Sequence, residues 1–245
     1  MNVFDCIQHS PEWYAVRRGN LTASKIAAAT GQRKRGTGEL AARRNMRFEL
    51  LSEILRDKTT DHYVSPYMDW GIEQEPRARA EYEIRTGQSV EPLGFIFHPT
   101  LDRCGASPDG YIAPNGLLEI KCPETHNHLE YIDSGIVPVE YVPQMAWQMA
   151  CAGPEIEYVD FVSFDPRLVE ELQLFVIRYE RDDKRIAEME EQAIEFLSEV
   201  AQMAERLKVN AKLPTLEDKL RESVRQAKGY HPEESELYIT ESDIA

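Results

Sequence analysis

Ser107-Pro108-Asp109-Gly110 and Leu118-Glu119-Ile120-Lys121 are the two short segments from which this chain is best read. Pro-Asp-Gly is a turn former, and Asn115-Gly116 between two apolar runs is a strong hairpin signal. Side chains alternate across a strand, so Glu119 and Lys121 share one face while Leu118 and Ile120 share the other. The second face is purely aliphatic, as a core-facing side should be. A charged pair on an otherwise apolar central strand is costly unless the charges are used. The hairpin is expected to bring the Asp109 carboxylate beside Glu119.

Two carboxylates held close raise each other's proton affinity unless a cation lies between them. Magnesium suits such a place, because it takes hard oxygen ligands and keeps several waters. A neighbouring ammonium such as Lys121 can align the attacking water and neutralise charge developing on a phosphate. A turn aspartate or a charged strand pair alone is commonplace. A turn Asp, a gap of nine residues and Glu-x-Lys in an apolar strand together are much rarer, and favour a metal site for phosphodiester hydrolysis.

The chain has 245 residues, enough for one α/β domain with a helical appendage. It contains no run of 18 apolar residues and no signal-peptide pattern at its start, which argues against a membrane protein. Cys6, Cys104, Cys122 and Cys151 form no CxxC pair, which argues against a zinc site or disulfide framework and fits a reducing cytosol. A net charge of −15 is unusual for a DNA-binding protein, but it is unevenly spread. Residues 1–60 hold 11 Lys/Arg against 6 Asp/Glu, and the rest hold 17 against 37. Arg17, Arg18, Lys25, Arg33, Lys34, Arg35, Arg43, Arg44 and Arg47 form a basic stripe. Such a stripe is either a phosphate-binding footprint or a solvated helix face.

Ser10-Pro11 opens a short helix through Arg17, and Thr22-Ala23-Ser24 caps a second around Lys25–Thr30. Residues 31–38 read as a basic loop, 39–57 as an amphipathic helix and 69–86 as another ending at Gly87. Ser89–Phe97, Cys104–Ile112 and Leu117–Cys122 read as strands. Residues 139–151 are expected to be helical, Tyr158–Phe164 and Leu172–Tyr179 to be strands, and 182–208 to be a long helix.

Pro108-Asp109 and Glu119-Ile120-Lys121 match the PD-(D/E)xK nuclease pattern. Further blocks occur in order: Trp13 to Gly19 with Leu21 to Ser24; Trp70-Gly71 with Glu75; Cys104 to Gly110; Leu118 to Pro123; and Tyr141 to Gln148. Over roughly residues 10–180 the chain resembles the phage lambda exonuclease, or YqaJ-type viral recombinase, branch of that superfamily. The resemblance implies an α/β, restriction-endonuclease-like core with a central mixed β-sheet flanked by helices, plus a C-terminal helical extension. It places one exonuclease domain over residues 1–210 and a loosely ordered or partner-binding extension over 211–245.

The same resemblance implies roles for residues. Asp109, Glu119 and the Ile120 carbonyl would hold magnesium, or manganese in its place, with two ions during catalysis. Lys121 would position the water, Glu75 would be an additional acidic active-site residue, and Gln144 would orient the site. Gln148, one turn on from Gln144, could share that work. Arg17 and Ser24, with Ser107, would bind a 5′-phosphate, helped by Arg33 or Arg35 from the basic loop. Met68 stands where the family places a strand-separating wedge. His126 and His128 follow Cys122-Pro123-Glu124 closely, but two histidines without a further partner are weak metal ligands. Cys122 reads as core rather than as a reactive thiol.

The activity implied is a 5′-to-3′ exonuclease working from double-stranded DNA ends and leaving 3′ single strands for recombination. A ring-shaped homotrimer, a single-strand annealing partner and a phage or prophage protein in a bacterial cytoplasm are implied with it. The alternatives are an endonuclease or resolvase with the same core, and a non-catalytic DNA-end-binding scaffold.

Overall fold

The computed structural model describes residues 1–31, 38–56 and 66–211. Lys34 and the phosphate-binding candidates Arg33 and Arg35 lie outside the described residues, as does the C-terminal extension beyond residue 211. The chain divides into a unit of residues 1–200 and a second beginning at Ala201. The candidate site lies in the first.

Local signals decide most of the elements. After β1 (Asn2–Phe4), Ser10 caps α1 (Pro11–Arg17) by accepting the Trp13 N–H at 3.2 Å, with Pro11 at the first helical turn. Gly19, at φ 71°, turns the chain into β2 (Leu21–Thr22), which passes directly into α2 (Ala23–Thr30). α3 (Ala41–Leu55) and α4 (Pro66–Thr86) follow, and Gly87 at φ 70° succeeds α4.

The next two segments differ from expectation, because each is divided between two sheets. Ser89–Phe97 becomes β3 (Val90–Glu91) and β4 (Phe95–Phe97), while Cys104–Ile112 becomes β5 (Cys104–Ala106) and β6 (Gly110–Ile112). Pro92 and Pro108 stand in the breaks, where they need not donate to a ladder. Gly94 lies so near the backbone of β1 that a Cβ there would meet the Phe4 carbonyl oxygen at 2.2 Å.

β7 (Gly116–Lys121), α5 (Thr125–Ser134), α6 (Val142–Ala152), β8 (Tyr158–Phe164), β9 (Leu174–Glu180) and α7 (Asp183–Ala211) complete the described fold. Of these, only α5 has no counterpart in the sequence-based expectation. One sheet runs β1-β4-β5-β2 and the other β3-β6-β7-β8-β9. Both are mixed: β2 pairs parallel with β5, β7 pairs parallel with β8, and the remaining pairs are antiparallel. The mixed α/β architecture expected from the sequence is therefore present, with its strands shared between two sheets.

β7 is central and covered on both faces. Leu118 and Ile120 join Val162 and Phe164 of β8 against Ala78 and Tyr82 of α4. Each such buried side chain contributes about 1.5–3 kcal/mol relative to exposure. On the opposite face Phe161 meets Tyr131 of α5, and Tyr141, just before α6, stacks on it with ring centroids 5.4 Å apart. On the Leu118 face Gly116 is fixed by Tyr158, since a Cβ there would lie 2.3 Å from that ring. Among the described residues, no helix is long and apolar enough to cross a membrane.

Candidate active site

The break between β5 and β6 places Ser107, Pro108 and Asp109 where the chain leaves one sheet for the other. Asp109 is clipped to β7 at two points. Its N–H donates to the Leu118 carbonyl at 2.9 Å, and its Oδ2 accepts the Ile120 N–H at 2.6 Å. Gln8 holds the turn by donating to the carbonyls of Pro108 at 2.7 Å and Leu93 at 3.0 Å. The motif aspartate is thus locked against the strand that carries Glu119 and Lys121, as the hairpin spacing predicts.

Glu119 is 1% exposed, and a carboxylate so buried needs donors. Oε1 accepts from Lys121 Nζ and from Gln144 Nε2, the latter at 2.6 Å, while Oε2 accepts from Gln148 Nε2 at 2.5 Å. Both glutamines project from α6, four residues apart. The Lys121 ammonium also lies 5.2 Å from the centre of the Tyr141 ring.

The charges act on one another. Burial pushes the Asp109 carboxyl well above its ordinary range, and the charges of Glu119 and Glu75 push it further. Burial pulls the Lys121 ammonium down, but Glu119 and Asp109 outweigh it and leave its proton affinity raised. Glu75, on α4, is raised by burial against the opposing pull of Arg79. Arg79 ties the helix to the motif by donating to Glu75 Oε1 at 2.7 Å and to the Asp109 carbonyl at 2.9 Å. Arg79 was not singled out in the sequence, although its i,i+4 spacing from Glu75 was visible there.

One cleft of about 370 Å³ joins this cluster to the residues expected at a 5′-phosphate. Arg17 donates to Ser107 Oγ at 3.2 Å and to Ser24 Oγ at 3.4 Å, and Trp13 Nε1 donates to Ser107 Oγ at 2.9 Å. The guanidinium carbon lies 4.0 Å from the Trp13 ring centre. Burial pulls Arg17 down to about 10, so it stays cationic at neutral pH. Among the described residues no carboxylate forms an ion pair with it. Met68, 55% exposed at the start of α4, also lines the cleft.

The rest of the basic stripe behaves differently. Lys25 pairs with Glu49 and Glu53, and Arg43 and Arg47 both pair with Glu39 and Glu199. These three cations brace helices rather than forming an open phosphate-binding face. His128 is wholly buried, its ring bonded to Ser163 Oγ at 2.6 Å and the Leu172 carbonyl at 2.8 Å, and so serves the core. His126 is 72% exposed beside Glu124. Burial pushes the Cys122 thiol up to about 12, which keeps it protonated.

The donors that this cleft offers a cation are hard carboxylate oxygens. Asp109 Oδ1 accepts no hydrogen bond among the described residues, and Glu75 and Glu119 line the same space. Among the described residues, no group of three or more His, Cys, Asp or Glu side chains is placed to hold a metal ion by itself. An open oxygen set of this kind suits magnesium, which retains waters, better than zinc.

Comparisons with known proteins identify the family and the fold. A family model for the YqaJ-like viral recombinase domain matches residues 12–155. An alkaline exonuclease from Laribacter hongkongensis, LHK-Exo, is 42% identical, with 83% of this chain and 98% of that one covered and a TM-score of 0.74. The structure of LHK-Exo in complex with dAMP covers the same shares at 42% identity and a TM-score of 0.76. A phage related exonuclease from Haemophilus somnus 129PT shares the fold, with 12% identity, coverage of 79% and 99%, and a TM-score of 0.59. No curated protein gives a significant match. With its family model spanning more than half of its length and a 42% identical relative covered almost end to end, this chain belongs to the YqaJ-like viral recombinase domain family.

Proposed function

We propose that this protein is a magnesium-dependent 5′-to-3′ exonuclease that degrades one strand of duplex DNA from its ends, leaving 3′ single strands for recombination by annealing. One observation carries this reading. The Asp109–Glu119–Lys121 cluster and the Arg17–Ser24–Ser107 group line the same cleft. A phosphate held at the second group places the first linkage of that strand toward the first, which is what end-dependent cutting requires. The 42% identical alkaline exonuclease LHK-Exo supports the same activity class.

In this reading Asp109 and Glu119, with the Ile120 carbonyl, would hold the cation, and Glu75 would add negative charge beside them. A divalent cation bound there supplies Lewis acidity and an activated water. Arg17 binds the 5′-phosphate by charge, while Ser24 and Ser107 hold its guanidinium and offer their own hydroxyl protons. Lys121 positions the attacking water and balances charge growing on the phosphorus oxygens. Gln144 and Gln148 hold the Glu119 oxygens so that they need not reorganise during reaction. Met68 is the proposed strand-separating residue, and Arg33 or Arg35 a further phosphate contact. The ring-shaped homotrimer, the single-strand annealing partner and a docking role for residues 211–245 belong to the same proposal, resting on the family resemblance alone.

The test is digestion of end-labelled duplexes, 5′-phosphorylated on one strand or the other, beside closed circular DNA, with magnesium or manganese. The phosphorylated strand of the linear duplex should be shortened from its 5′ end and circles should be spared. Lys121→Ala should abolish hydrolysis and retain DNA binding. Cutting of circles would instead identify an endonuclease, and end binding without release of nucleotides a scaffold.

A further inference from the structure

A second cavity, of about 520 Å³, adjoins the candidate active site. The two share Cys122 and Pro123 as walls, but the second contains no residue of α1 or α2. It therefore lies beyond the cation cluster on a side not reached by Arg17 and Ser24. One wall is a cationic-aromatic pair, with the Arg167 guanidinium carbon 5.0 Å from the Trp70 ring centre.

Arg167 is held still. Its Nε and Nη2 donate to Asp165 at 2.7 and 3.0 Å, and Nη2 also donates to the Pro123 carbonyl at 3.1 Å. Asp165 is fully buried and accepts from Thr125 as well, at 2.6 Å. The charge of Arg167 is thereby spent on a partner, and Glu124 adds a negative charge to the lining. The cavity offers an anion little. It offers a planar, partly polar group more: the side chain of Arg167 is 47% exposed although its charge is paired. Trp70 Nε1 is buried without a hydrogen-bond partner. The Asn127 amide makes no hydrogen bond among the described residues. Stacking surface, a spare donor and a free amide are what an unstacked nucleobase uses.

We infer that this cavity is a nucleobase site, taking a base next to the linkage being cut. The inference rests on the nuclease reading, since an unpaired base arises only where a strand is separated or released. Its source is either the nucleotide following the scissile linkage or the freed mononucleotide.

The test compares a 5′-phosphorylated duplex with the same duplex abasic at the second nucleotide, under single turnover, for wild type, Trp70→Leu and Trp70→Phe. Wild type and Trp70→Phe should cut the natural duplex about five-fold or more faster, and Trp70→Leu should cut both alike. Trp70→Phe keeps the test valid should Trp70→Leu fail to fold. If the base belongs to the mononucleotide, dAMP in EDTA should instead quench wild-type tryptophan emission, 2-deoxyribose 5-phosphate should not, and Trp70→Phe should lose that response. If neither an abasic penalty nor a Trp70-dependent quench is seen, the base site is overturned. Absence of any cleavage with the quench intact would sink the nuclease reading alone.

Discussion

Gln148 donates its side-chain N–H to Oε2 of Glu119 at 2.5 Å from a position with no solvent exposure. Gln144, one helical turn earlier, donates to Oε1. Each oxygen of the buried carboxylate thus has its own amide on α6, and Lys121 adds a charge-assisted bond to the first. The helix therefore sets the orientation of a group whose strand sets only its position.

Gln148→Leu should leave Oε2 buried without a donor. Losing a hydrogen bond to a charged group costs about 1.5–3 kcal/mol, so the single-turnover rate should fall about ten-fold or more and half-saturating magnesium should rise. DNA affinity should hold, because Gln148 does not line the cleft. A magnesium titration that superimposes on wild type would exclude the role.

Arg17 donates to two hydroxyls and pairs with no carboxylate among the described residues, so a phosphate can take its charge directly. Arg17→Ala should abolish the preference for 5′-phosphorylated over 5′-hydroxyl ends, a loss of about ten-fold or more for a charged hydrogen bond. Competition between the two duplexes in one tube measures it. An undiminished preference would place the phosphate elsewhere.

The candidate catalytic segment was the most legible part of the chain, for a physical reason. Charged residues alternating with aliphatic ones on a central strand carry a large desolvation cost, and Glu119 and Lys121 announce it locally. Ser10-Pro11 and Gly87 were legible for similar local reasons. The division into two sheets was not, because 89–97 and 104–112 keep a strand-like composition on both sides of their breaks. Only the neighbouring backbone at Gly94 shows why the chain must turn there. The basic stripe stayed open between two readings because charge counts cannot show that Arg43 and Arg47 face Glu199, more than 150 residues away. The place of His128 in the core was not legible either, since proximity to Cys122 in sequence says nothing of Ser163 and Leu172 in space.

Glu199 is held below its ordinary value first by its hydrogen bond from Arg43, then by the one from Arg47. A depressed carboxylate contributes stability that is present above its unfolded value and lost as pH falls through the folded one. Glu199→Gln should therefore lower stability by about 1 kcal/mol at pH 7, the scale of a partly exposed ion-pair network. Below about pH 4 the variant and wild type should converge. Parallel denaturation curves at both pH values would argue against this brace.

His98 carries the opposite kind of linkage. Its Nδ1 accepts the N–H groups of Thr100 at 3.3 Å and Leu101 at 3.1 Å, and its Nε2 lies 3.1 Å from Glu190 Oε1. The ring is therefore neutral with its proton on Nε2, and a second proton on Nδ1 would face two donors. Burial lowers its proton affinity below the ordinary 6.5, against the pull of Glu190. The unfolded chain then binds more protons in the window just below 6.5, so stability falls as pH drops through it, by at most about 1.4 kcal/mol per pH unit. His98→Asn keeps an acceptor but cannot titrate. It should be less stable than wild type at pH 7 and show a shallower loss between pH 7 and 5.5 in chemical denaturation. An equally steep loss in the variant would mean that other groups set the acid limit of this fold.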